Sequence, residues 1–401
     1  MEKQYRYFED PLKFEFEAKI VEVRPLDDGR YGVILDETFF YPTGGGQEFD
    51  RGVLGHEPVV DVWRDEATSQ VVHVVEREMS PGLVLAKIDG ERRLRHMQHH
   101  SAQHLVSATF TKLLELETLS AHISGYTASS IDLPETELSH EMLTQVEEYA
   151  NCIVYENRGI KTYFVDQDQA RAVPLRRPPK VAGDVRVVEI DGFDWSACGG
   201  THCLSTGMIG LVKIIKTERQ NKKSRVYFMA GAQALEYFQE LHGQVSGLAE
   251  EMSIHWGDLA ETVRAQADVL KGAQRELRAF QKERLESEAE ALAASSQAVG
   301  DYRLVVGSFE DRPVEELQGL AKTLMEKDGM IAALATFDGE KLALVVARSA
   351  DVDVHAGEFI KRLLEPVGGR GGGSQQMARG GGVISEVEFR SLMLDIDGLI
   401  R

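Results

Sequence analysis

The sequence predicts an α+β protein that consists of several domains in succession. Its 401 residues exceed the usual length of one domain, and 43% hydrophobic with 27% charged residues is typical of a globular chain with substantial cores. The apolar residues alternate near the N-terminus, follow a helical spacing near the middle and mix both patterns near the C-terminus. We therefore expect a small β-barrel at 1–90, an α+β core at 91–231, a helical hairpin at 232–298 and an α/β unit at 299–401.

Residues 1–90 contain the short, regularly spaced strands of a small barrel. Polar and apolar residues alternate over Phe14–Val23, and the runs Val59–Trp63 and Val71–Val75 are rich in β-branched residues. Turn signals such as the Asp-Asp-Gly at 27–29 separate the runs. Regular spacing of this kind favours closure into a barrel.

The barrel region also contains the glycine-rich stretch Tyr41–Gln47, with the sequence YPTGGGQ. Its three successive glycines permit positive φ angles and let the backbone approach a ligand closely. A hairpin loop and a ligand-binding loop both fit this composition. No Gly-Lys-Ser/Thr follows the glycines, so the stretch is not a P-loop.

Two pairs of residues, each with a spacing of four, form a candidate metal site. His100 and His104 lie in a helical stretch, where residues i and i+4 share one face about a turn apart. Cys198 and His202 have the same spacing in a glycine-containing segment between two predicted strands. Because imidazole and thiolate are ligands that zinc prefers, we predict one Zn²⁺ per chain, held by these four side chains within the core at 91–231.

The number of ligands leaves the role of this metal open. Four protein ligands close a tetrahedral zinc site, as in structural zinc, whereas catalytic zinc keeps one position free. Either one ligand is loosely held, or the metal expands its coordination, or it positions a substrate group while another element orients the attacking water. His96, one turn before His100, is a further candidate on the same helix face. For the helix pair, two histidines that are merely solvated on one face are the simpler alternative.

The chain beyond about Ala232 is rich in helix formers. Apolar residues with a 3-4 spacing lie in 238–252 and again in 259–280, after a break at Gly257. This pattern predicts two helices in an antiparallel hairpin. Their apolar stripe is typical of a core or of a dimer seam.

Residues 301–401 alternate strand and helix patterns, as in a compact α/β unit. The glycine-rich stretch Gly368–Gly382 lies within this unit. The segments on both sides of a flexible linker would normally contain fewer apolar residues than these do. We therefore predict a glycine loop that turns tightly around a ligand or a partner.

The charge distribution is uneven. A formal net charge of −20 argues against a generally nucleic-acid-binding surface. One segment is nevertheless basic, and such patches can hold a phosphate backbone on an acidic protein, although a solvated face is the alternative. Its cationic residues are Lys213, Lys216, Arg219, Lys222, Lys223 and Arg225.

The cysteine content and the hydropathy pattern indicate the cellular compartment in which the protein works. Three cysteines cannot form an even disulfide framework, which favours a reducing environment. The sequence has no run of about 18 apolar residues and no apolar core like that of a signal peptide near its beginning. We therefore expect a cytoplasmic protein that does not partner with a membrane.

Together these motifs resemble those of the free-standing alanyl-tRNA editing proteins of the long AlaX type, which are similar to the editing and C-terminal portions of alanyl-tRNA synthetase. Tyr41–Gln47 matches the glycine-rich loop of that family, His100–His104 its first zinc motif and Cys198–His202 its second. The stretch Gly210–Gly231 is similar to the strand pair that follows, and 301–401 is similar to the C-terminal DHHA1 domain. The resemblance covers nearly the whole chain.

The resemblance implies a zinc-dependent aminoacyl-tRNA hydrolase, a carboxylic ester hydrolase that serves translation fidelity and needs no ATP. Its substrate would be alanine tRNA mischarged with serine or glycine, cleaved at the ester to the 3′ adenosine. A pocket that accepts alanine cannot strongly exclude glycine or serine, so a second site must remove them. Zinc would bind the amino group of the substrate or polarise the ester carbonyl.

The same resemblance gives roles to residues around the metal. Gln47 and Gln103 would help to place water or the seryl hydroxyl, and Gln103 stands where synthetase editing sites usually carry threonine. The loop would wrap the terminal adenosine or stabilise the oxyanion with backbone N–H groups. Its residues assigned to substrate positioning are Thr43, Gly44, Gly45 and Gly46.

The resemblance also implies tRNA-binding residues. In that family the DHHA1 domain contributes to tRNA binding and dimerisation, and here Ser374–Gln376 replaces an Arg-Pro-Asp stretch that is common in its loop. Basic residues from three regions are assigned to this contact. They are Arg92, Arg93, Lys213, Lys216, Arg219, Lys222, Lys223, Arg225, Arg370 and Arg379.

Other hypotheses remain open. A zinc-stabilised tRNA-binding protein without catalysis fits a closed ligand set. A phosphoesterase, in which DHHA1 units also occur, would need clustered aspartates and an Asp-His-His motif, which the sequence lacks. A homodimer through the helical and DHHA1-like regions is compatible with the enzyme and predicts twice the chain mass in solution.

Overall fold

The structure is a computed structural model that describes residues 5–178 and 183–399. Contacts within the chain divide it into a first unit, Met1–Trp256, and a second unit, Gly257–Arg401. Within the described ranges, no helix is both long and apolar enough to cross a lipid bilayer.

The first unit begins with a closed six-stranded antiparallel barrel, which confirms the predicted barrel. Alternation in β1 turns Phe16, Ala18 and Ile20 inward, where they pack with Val33, Val62 and other buried residues. Around the barrel the strand order is β1-β2-β5-β4-β3-β6. The strands are β1 (Glu15–Pro25), β2 (Tyr31–Leu35), β3 (Gly52–Leu54), β4 (Glu57–Arg64), β5 (Val71–Val75) and β6 (Gly82–Ile88).

Helix α1 (Gly90–Leu114) is the central element of the rest of the first unit. Asp89 caps its N-terminus by accepting a hydrogen bond from the Arg92 N–H, and Glu115 ends it in the left-handed conformation. Buried residues occur on nearly all sides of its middle, including Met97, Leu105 and many polar side chains. A helix enclosed in this way positions its polar residues precisely within the interior.

Two sheets and helix α2 pack around α1, and helix α3 packs on the sheet that contains β9. One sheet has the order β11-β10-β9 and the other β12-β13-β8-β7, each with antiparallel pairing. The elements are β7 (Ser120–His122), β8 (Ser129–Pro134), α2 (His140–Tyr155), β9 (Ile160–Val165), α3 (Gln167–Ala172), β10 (Val185–Ile190), β11 (Asp194–Ala197), β12 (Val212–Gln220) and β13 (Lys223–Ala230).

Two long helices occupy the segment predicted to be a helical hairpin. Helix α4 (Gly231–Glu251) belongs to the first unit and α5 (Leu259–Ala294) to the second. Their antiparallel pairing stays a prediction. The apolar side chains of α5 from Val263 to Phe280 are exposed within the second unit, whereas Leu285 and Ala289 pack into its core.

The second unit contains a six-stranded mixed sheet with the order β14-β15-β16-β17-β19-β18. Only β15 and β16 pair in parallel among these neighbours. One core lies between the sheet and helices α5 and α6, and another lies against α7 and α8. The elements are β14 (Gln297–Val299), β15 (Tyr302–Glu310), α6 (Val314–Leu324), β16 (Met330–Phe337), β17 (Lys341–Arg348), α7 (Ala356–Leu364), β18 (Arg370–Gly373), β19 (Met377–Val383) and α8 (Glu386–Leu399).

The prediction of a glycine loop over Gly368–Gly382 is wrong for most of that stretch. Its residues form the hairpin β18–β19, with a short turn at the serine and glutamines, at the edge of the sheet. The glycines are needed because α7 packs closely: a Cβ on Gly371 or Gly380 would lie 3.0 or 2.5 Å from the Leu364 side chain. Small residues therefore mark a packed strand pair here, and not a loop.

Replacing Gly380 with alanine is expected to destabilise the second unit by about 1–3 kcal/mol, the usual cost of overpacking. The new Cβ would also lie 2.6 Å from the Arg370 carbonyl oxygen, so the strand pair itself must shift. Gly372→Ala is the matched control, since nothing lies within 4 Å of its Cβ position. Calorimetric unfolding of both variants checks the difference. Equal stability of the two variants would contradict the close packing of α7.

Candidate metal centre

The structure brings His100, His104, Cys198 and His202 together in the interior of the first unit. Helix α1 supplies two imidazoles, and the segment that follows β11 supplies the thiol and the third imidazole. One ligand atom from each residue lies within 4.8 Å of all the others. The Cys198 Sγ is 3.2 Å from the His100 Nε2 and 3.4 Å from the His202 Nε2. A tetrahedral zinc site has ligand-to-ligand distances of about 3.5 Å, so these donors fit the ion.

A polar group faces the second ring nitrogen of each histidine. The Gln47 Oε1 lies 2.8 Å from the His100 Nδ1, and the Ser101 Oγ lies 3.2 Å from the His202 Nδ1. The Asp194 Oδ2 is 3.9 Å from the His104 Nδ1, longer than a hydrogen bond. Such contacts fix the orientation of imidazole ligands and leave Nε2 for a metal. The His104 imidazole is therefore held less firmly than the other two.

Electrostatics favour the metal-binding protonation state at Cys198 and His202. Burial favours the neutral thiol, but the imidazoles of His100, His104 and His202 hold the pKa of Cys198 well below its ordinary value. Burial, followed by the charge of His100, lowers the pKa of His202 well below its ordinary value. At His104 burial favours the neutral ring, but the charge of Cys198, followed by the contact with Asp194, raises its pKa. The cluster therefore combines a thiolate with a neutral imidazole, as a zinc site requires.

The path of the segment Cys198–His202 is fixed by one arginine and one glycine. The buried Arg186 guanidinium donates to the carbonyl oxygens of Cys198, at 2.9 Å, and Gly200, at 2.8 Å. A Cβ on Gly200 would lie only 2.1 Å from the His100 Cε1. Glycine is thus required at this position because the segment passes directly beside an imidazole of the cluster.

Gln47 lies beneath the cluster and not at its surface. It is 1% exposed, its Nε2 donates to the Thr201 Oγ1 at 2.8 Å, and its Oε1 accepts from the Thr201 N–H at 3.2 Å in addition to its contact with His100. These contacts occupy both ends of the amide. They fit a role for Gln47 in orienting His100, and its predicted contact with water or the seryl hydroxyl stays a prediction.

Replacing Gln47 with alanine is expected to weaken zinc affinity by roughly 10- to 100-fold, the usual effect of losing a partner of an imidazole ligand. Competition with a chromophoric chelator measures this affinity. Thr43→Ala is the matched control, because Thr43 belongs to the same loop and its side chain is exposed. Unchanged zinc affinity in Gln47→Ala would rule out the orienting role.

The other predicted substrate-positioning residues lie on two elements. The Gly44 N–H donates to the Gln47 carbonyl and the Gln47 N–H to the Gly44 carbonyl, so the loop closes as a tight turn with Gly45 and Gly46 at positive φ. The two glycines at its tip are exposed. Gln103, on α1, is 8% exposed, and its Nε2 donates to the Ser107 Oγ at 2.8 Å. The loop is therefore both a hairpin turn and an accessible backbone surface.

Two of the assigned tRNA contacts require correction. Arg93 is fully buried and forms an ion pair with Asp50, which is also fully buried. The Arg92 side chain is 4% exposed, donates to Glu48 at 2.8 Å and lies over the Phe49 ring. The prediction that Arg93 contacts tRNA is wrong, because its guanidinium has no access to solvent. Only a small part of the Arg92 side chain is accessible to tRNA.

The basic strand pair β12–β13 is largely neutralised by acidic neighbours. Lys213 pairs with Glu147, and both Lys223 and Arg225 pair with Asp132. Lys216 and Arg219 likewise have carboxylate partners. This arrangement fits the solvated-face alternative better than a phosphate-binding patch.

Arg370 and Arg379 lie on the hairpin of the second unit and are exposed. Because Gly372 pairs with Arg379 and is two residues from Arg370, both arginines share one face of the hairpin. The opposite face, with Gly371 and Gly380, packs on α7. These two remain available for a phosphate contact.

Sequence reasoning missed three residues that hold the centre in place. Asp194 pairs with the Arg176 Nε at 3.0 Å and accepts from the Ser196 Oγ at 2.8 Å; burial alone would raise its pKa, but His104 and Arg176 hold that pKa below its ordinary value. Ser101 and Arg186 are the others. An arginine among the valines of strand β10 was the one visible signal, since a buried arginine needs specific partners.

Comparison with known proteins finds two matches to protein families and several similar ligases. Residues 185–227 match the family described as the threonyl and alanyl tRNA synthetase second additional domain, and residues 301–392 match the DHHA1 domain. The alanine–tRNA ligase of Methanoregula boonei is 34% identical over 404 residues, covering 97% of this chain and 42% of that protein. The ligase of Methanopyrus kandleri is 30% identical over 394 residues, covering 95% of this chain and 43% of that protein.

The chain thus spans less than half the length of these ligases. A crystal structure of the C-Ala domain from Aquifex aeolicus alanyl-tRNA synthetase is 29% identical, covers 26% of this chain and 96% of that one, and has a TM-score of 0.25. The sequence matches extend over nearly all of this chain and include the DHHA1 domain that the resemblance implied. The chain is therefore homologous to a part of the alanyl-tRNA synthetases, and it matches their second additional domain at 185–227 and the DHHA1 domain at 301–392.

Proposed function

We propose that this chain is a trans-editing hydrolase that deacylates alanine tRNA mischarged with serine or glycine. The observation that carries the proposal is a buried cluster of three imidazoles and one thiolate in a homologue of alanyl-tRNA synthetases. Alanine activation needs such a second site, because a pocket for alanine discriminates only weakly against a missing methyl group or an added hydroxyl. The cleaved bond is the ester to the 3′ adenosine, and the reaction needs no ATP.

His100, His104, Cys198 and His202 would hold one Zn²⁺. When bound, the ion supplies Lewis acidity toward an ester carbonyl or a binding position for an amino group. A closed set of four ligands leaves no free position unless the metal expands its coordination, and of these alternatives we propose that one ligand is loosely held. His104 fits that role, since its outer contact with Asp194 is the longest of the three, at 3.9 Å.

Residues of the chain itself would position the aminoacyl end. The exposed turn at Gly45 and Gly46 presents backbone N–H groups toward the oxyanion or the terminal adenosine. Ser107 holds the amide nitrogen of Gln103, which leaves the Gln103 carbonyl oxygen to accept a hydrogen bond from a seryl hydroxyl. Arg370 and Arg379 would contact tRNA phosphates, and the reaction belongs in the cytoplasm with its substrate.

A second candidate function is a zinc-stabilised tRNA-binding protein without catalysis. The four-ligand set supports it, since structural zinc sites are closed in this way. The two functions differ in one respect that is easily measured, namely turnover of an aminoacyl ester.

The decisive assay follows deacylation of Ser-tRNA(Ala), Gly-tRNA(Ala) and Ala-tRNA(Ala) by the full chain. The hydrolase proposal predicts rapid loss of serine or glycine while alanine is spared. Tight binding of all three substrates without hydrolysis of any would establish the binding protein instead.

We further propose a homodimer that buries the apolar stripe of α5. Val263, Leu270, Leu277 and Phe280 recur at near-heptad spacing and are each more than half exposed within the second unit. Light scattering at micromolar concentration should give twice the chain mass, and Leu270→Glu with Leu277→Glu should give one chain mass. A monomer in the unaltered protein would refute the dimer and leave the hydrolase proposal intact.

A further inference from the structure

Tyr126 is an exposed aromatic residue close to the metal centre. The residue is 53% exposed, and side chains of α1 contact its ring. The Arg92 and Arg95 guanidinium carbons lie 5.4 and 5.7 Å from the ring centroid, and the His96 ring meets it edge-on at 6.4 Å. His96 precedes His100 by about one helical turn, so the ring lies within roughly a turn of the cluster along α1. Because its three contacts come from one helix, the rest of the ring faces outward.

The loop that carries Tyr126 is locked in place. The Ser124 Oγ accepts from the N–H groups of Tyr126, at 3.2 Å, and Thr127, at 3.0 Å. The Ser129 Oγ bonds to Ser124 across the base of the loop and lies 2.7 Å from the buried His99 Nδ1. An exposed ring on a preorganised loop loses little conformational freedom when it binds a ligand.

The same loop adjoins the glycine-rich turn. The Ile123 N–H donates to the Gly46 carbonyl oxygen at 3.2 Å, three residues before Tyr126. A Cβ on Gly46 would lie 3.3 Å from the Ala121 carbonyl oxygen. The turn, the aromatic ring and the N-terminal half of α1 therefore form one continuous surface beside the cluster.

The charges around the ring favour an uncharged ligand. Arg92 is paired with Glu48, and Arg95 is paired with Glu91 and Glu236. The charge of each guanidinium is thus balanced by a carboxylate. The surface therefore presents an aromatic face flanked by paired cations, without excess positive charge. A nucleobase matches this chemistry, whereas a phosphate would meet the three carboxylates.

We propose that Tyr126 is the stacking platform for the 3′-terminal base of the aminoacylated tRNA. The proposal rests on the proposed function, and it assigns the base-binding subsite that places the ester over the cluster. Stacking holds any base with a π-face, and alanine substitution of a stacking aromatic weakens binding by roughly 5- to 100-fold.

The test measures binding of two non-hydrolysable probes to the zinc-loaded full chain by calorimetry. One is 3′-seryl-amido-3′-deoxyadenosine, and the other is the same seryl amide on a ribose without a base. The unaltered protein should bind the adenine probe roughly 5- to 100-fold more tightly than the base-free probe. Tyr126→Ala should remove this preference, and Tyr126→Phe should retain it. Tyr155→Ala is the control, since Tyr155 ends α2 and is 75% exposed.

Two results would overturn the platform. If Tyr126→Ala keeps the full preference for the adenine probe while the unaltered protein deacylates Ser-tRNA(Ala), the platform is wrong and the hydrolase stands. If the unaltered protein binds neither probe and deacylates nothing, the proposed function fails and the platform fails with it.

Discussion

Alanine at position 200 is expected to abolish metal binding, whereas alanine at position 199 is expected to be tolerated. A Cβ on Gly200 would lie 2.1 Å from the His100 Cε1 and 2.3 Å from its Nδ1, so the imidazole would have to leave its place. That movement would also break the hydrogen bond to Gln47. Loss of a metal ligand should weaken zinc binding more than loss of a hydrogen bond to a ligand does. We therefore expect zinc affinity to fall by more than about 100-fold.

Gly199 provides a closely matched control for this effect. Nothing lies within 4 Å of its Cβ position. Neither glycine has a positive φ, so the backbone conformation accepts alanine at both sites and the variants differ in the clash with His100. Zinc content after dialysis and chelator competition would be compared for both variants. Full zinc in Gly200→Ala would show that His100 is not a ligand.

Removal of the Asp50 carboxylate is expected to destabilise the first unit by about 3–5 kcal/mol, because it leaves the Arg93 charge buried and unpaired. Both side chains are fully buried, and Arg93 also donates to the carbonyl oxygens of Pro11 and Phe39. Asp50 itself accepts from the Tyr41 N–H. This network fixes the ends of the glycine-rich loop against α1.

Glu236→Ala is the control, since it removes the carboxylate partner of Arg95 at a half-exposed position and should cost under about 1 kcal/mol. All three tryptophans, Trp63, Trp195 and Trp256, lie in the first unit, so their fluorescence reports its unfolding in urea. Asp50→Ala should lower the midpoint far more than the control. Equal urea midpoints for Asp50→Ala and Glu236→Ala would contradict the claim that the variant leaves Arg93 buried without a partner.

Patterns that are local in the sequence predicted the fold well. The alternation over Phe14–Val23 predicted a barrel strand, and the spacing of His100 and His104 placed both on one helix face. The glycine-rich hairpin was misread because strand pairing there depends on β17 and on the close approach of α7, neither of which leaves an apolar pattern.

The surroundings of the metal centre depend on contacts between distant residues. Gln47 and His100 are 53 positions apart, and Arg93 and Asp50 are 43 apart. An arginine in a basic run looks the same in sequence whether it faces solvent or a buried carboxylate. The four candidate ligands could therefore be predicted from spacing, whereas the contact of Gln47 with His100 and the burial of Arg93 could not.

The most direct test of the central claim is the rate of Ser-tRNA(Ala) deacylation as zinc is removed from the full chain and then restored. Cys198→Ala, treated in the same way, removes one donor of the cluster. We predict that activity falls with zinc content, returns when zinc is restored, and stays absent in the variant. Full activity in the metal-free protein, or none in the zinc-loaded protein, would contradict a zinc-dependent hydrolase.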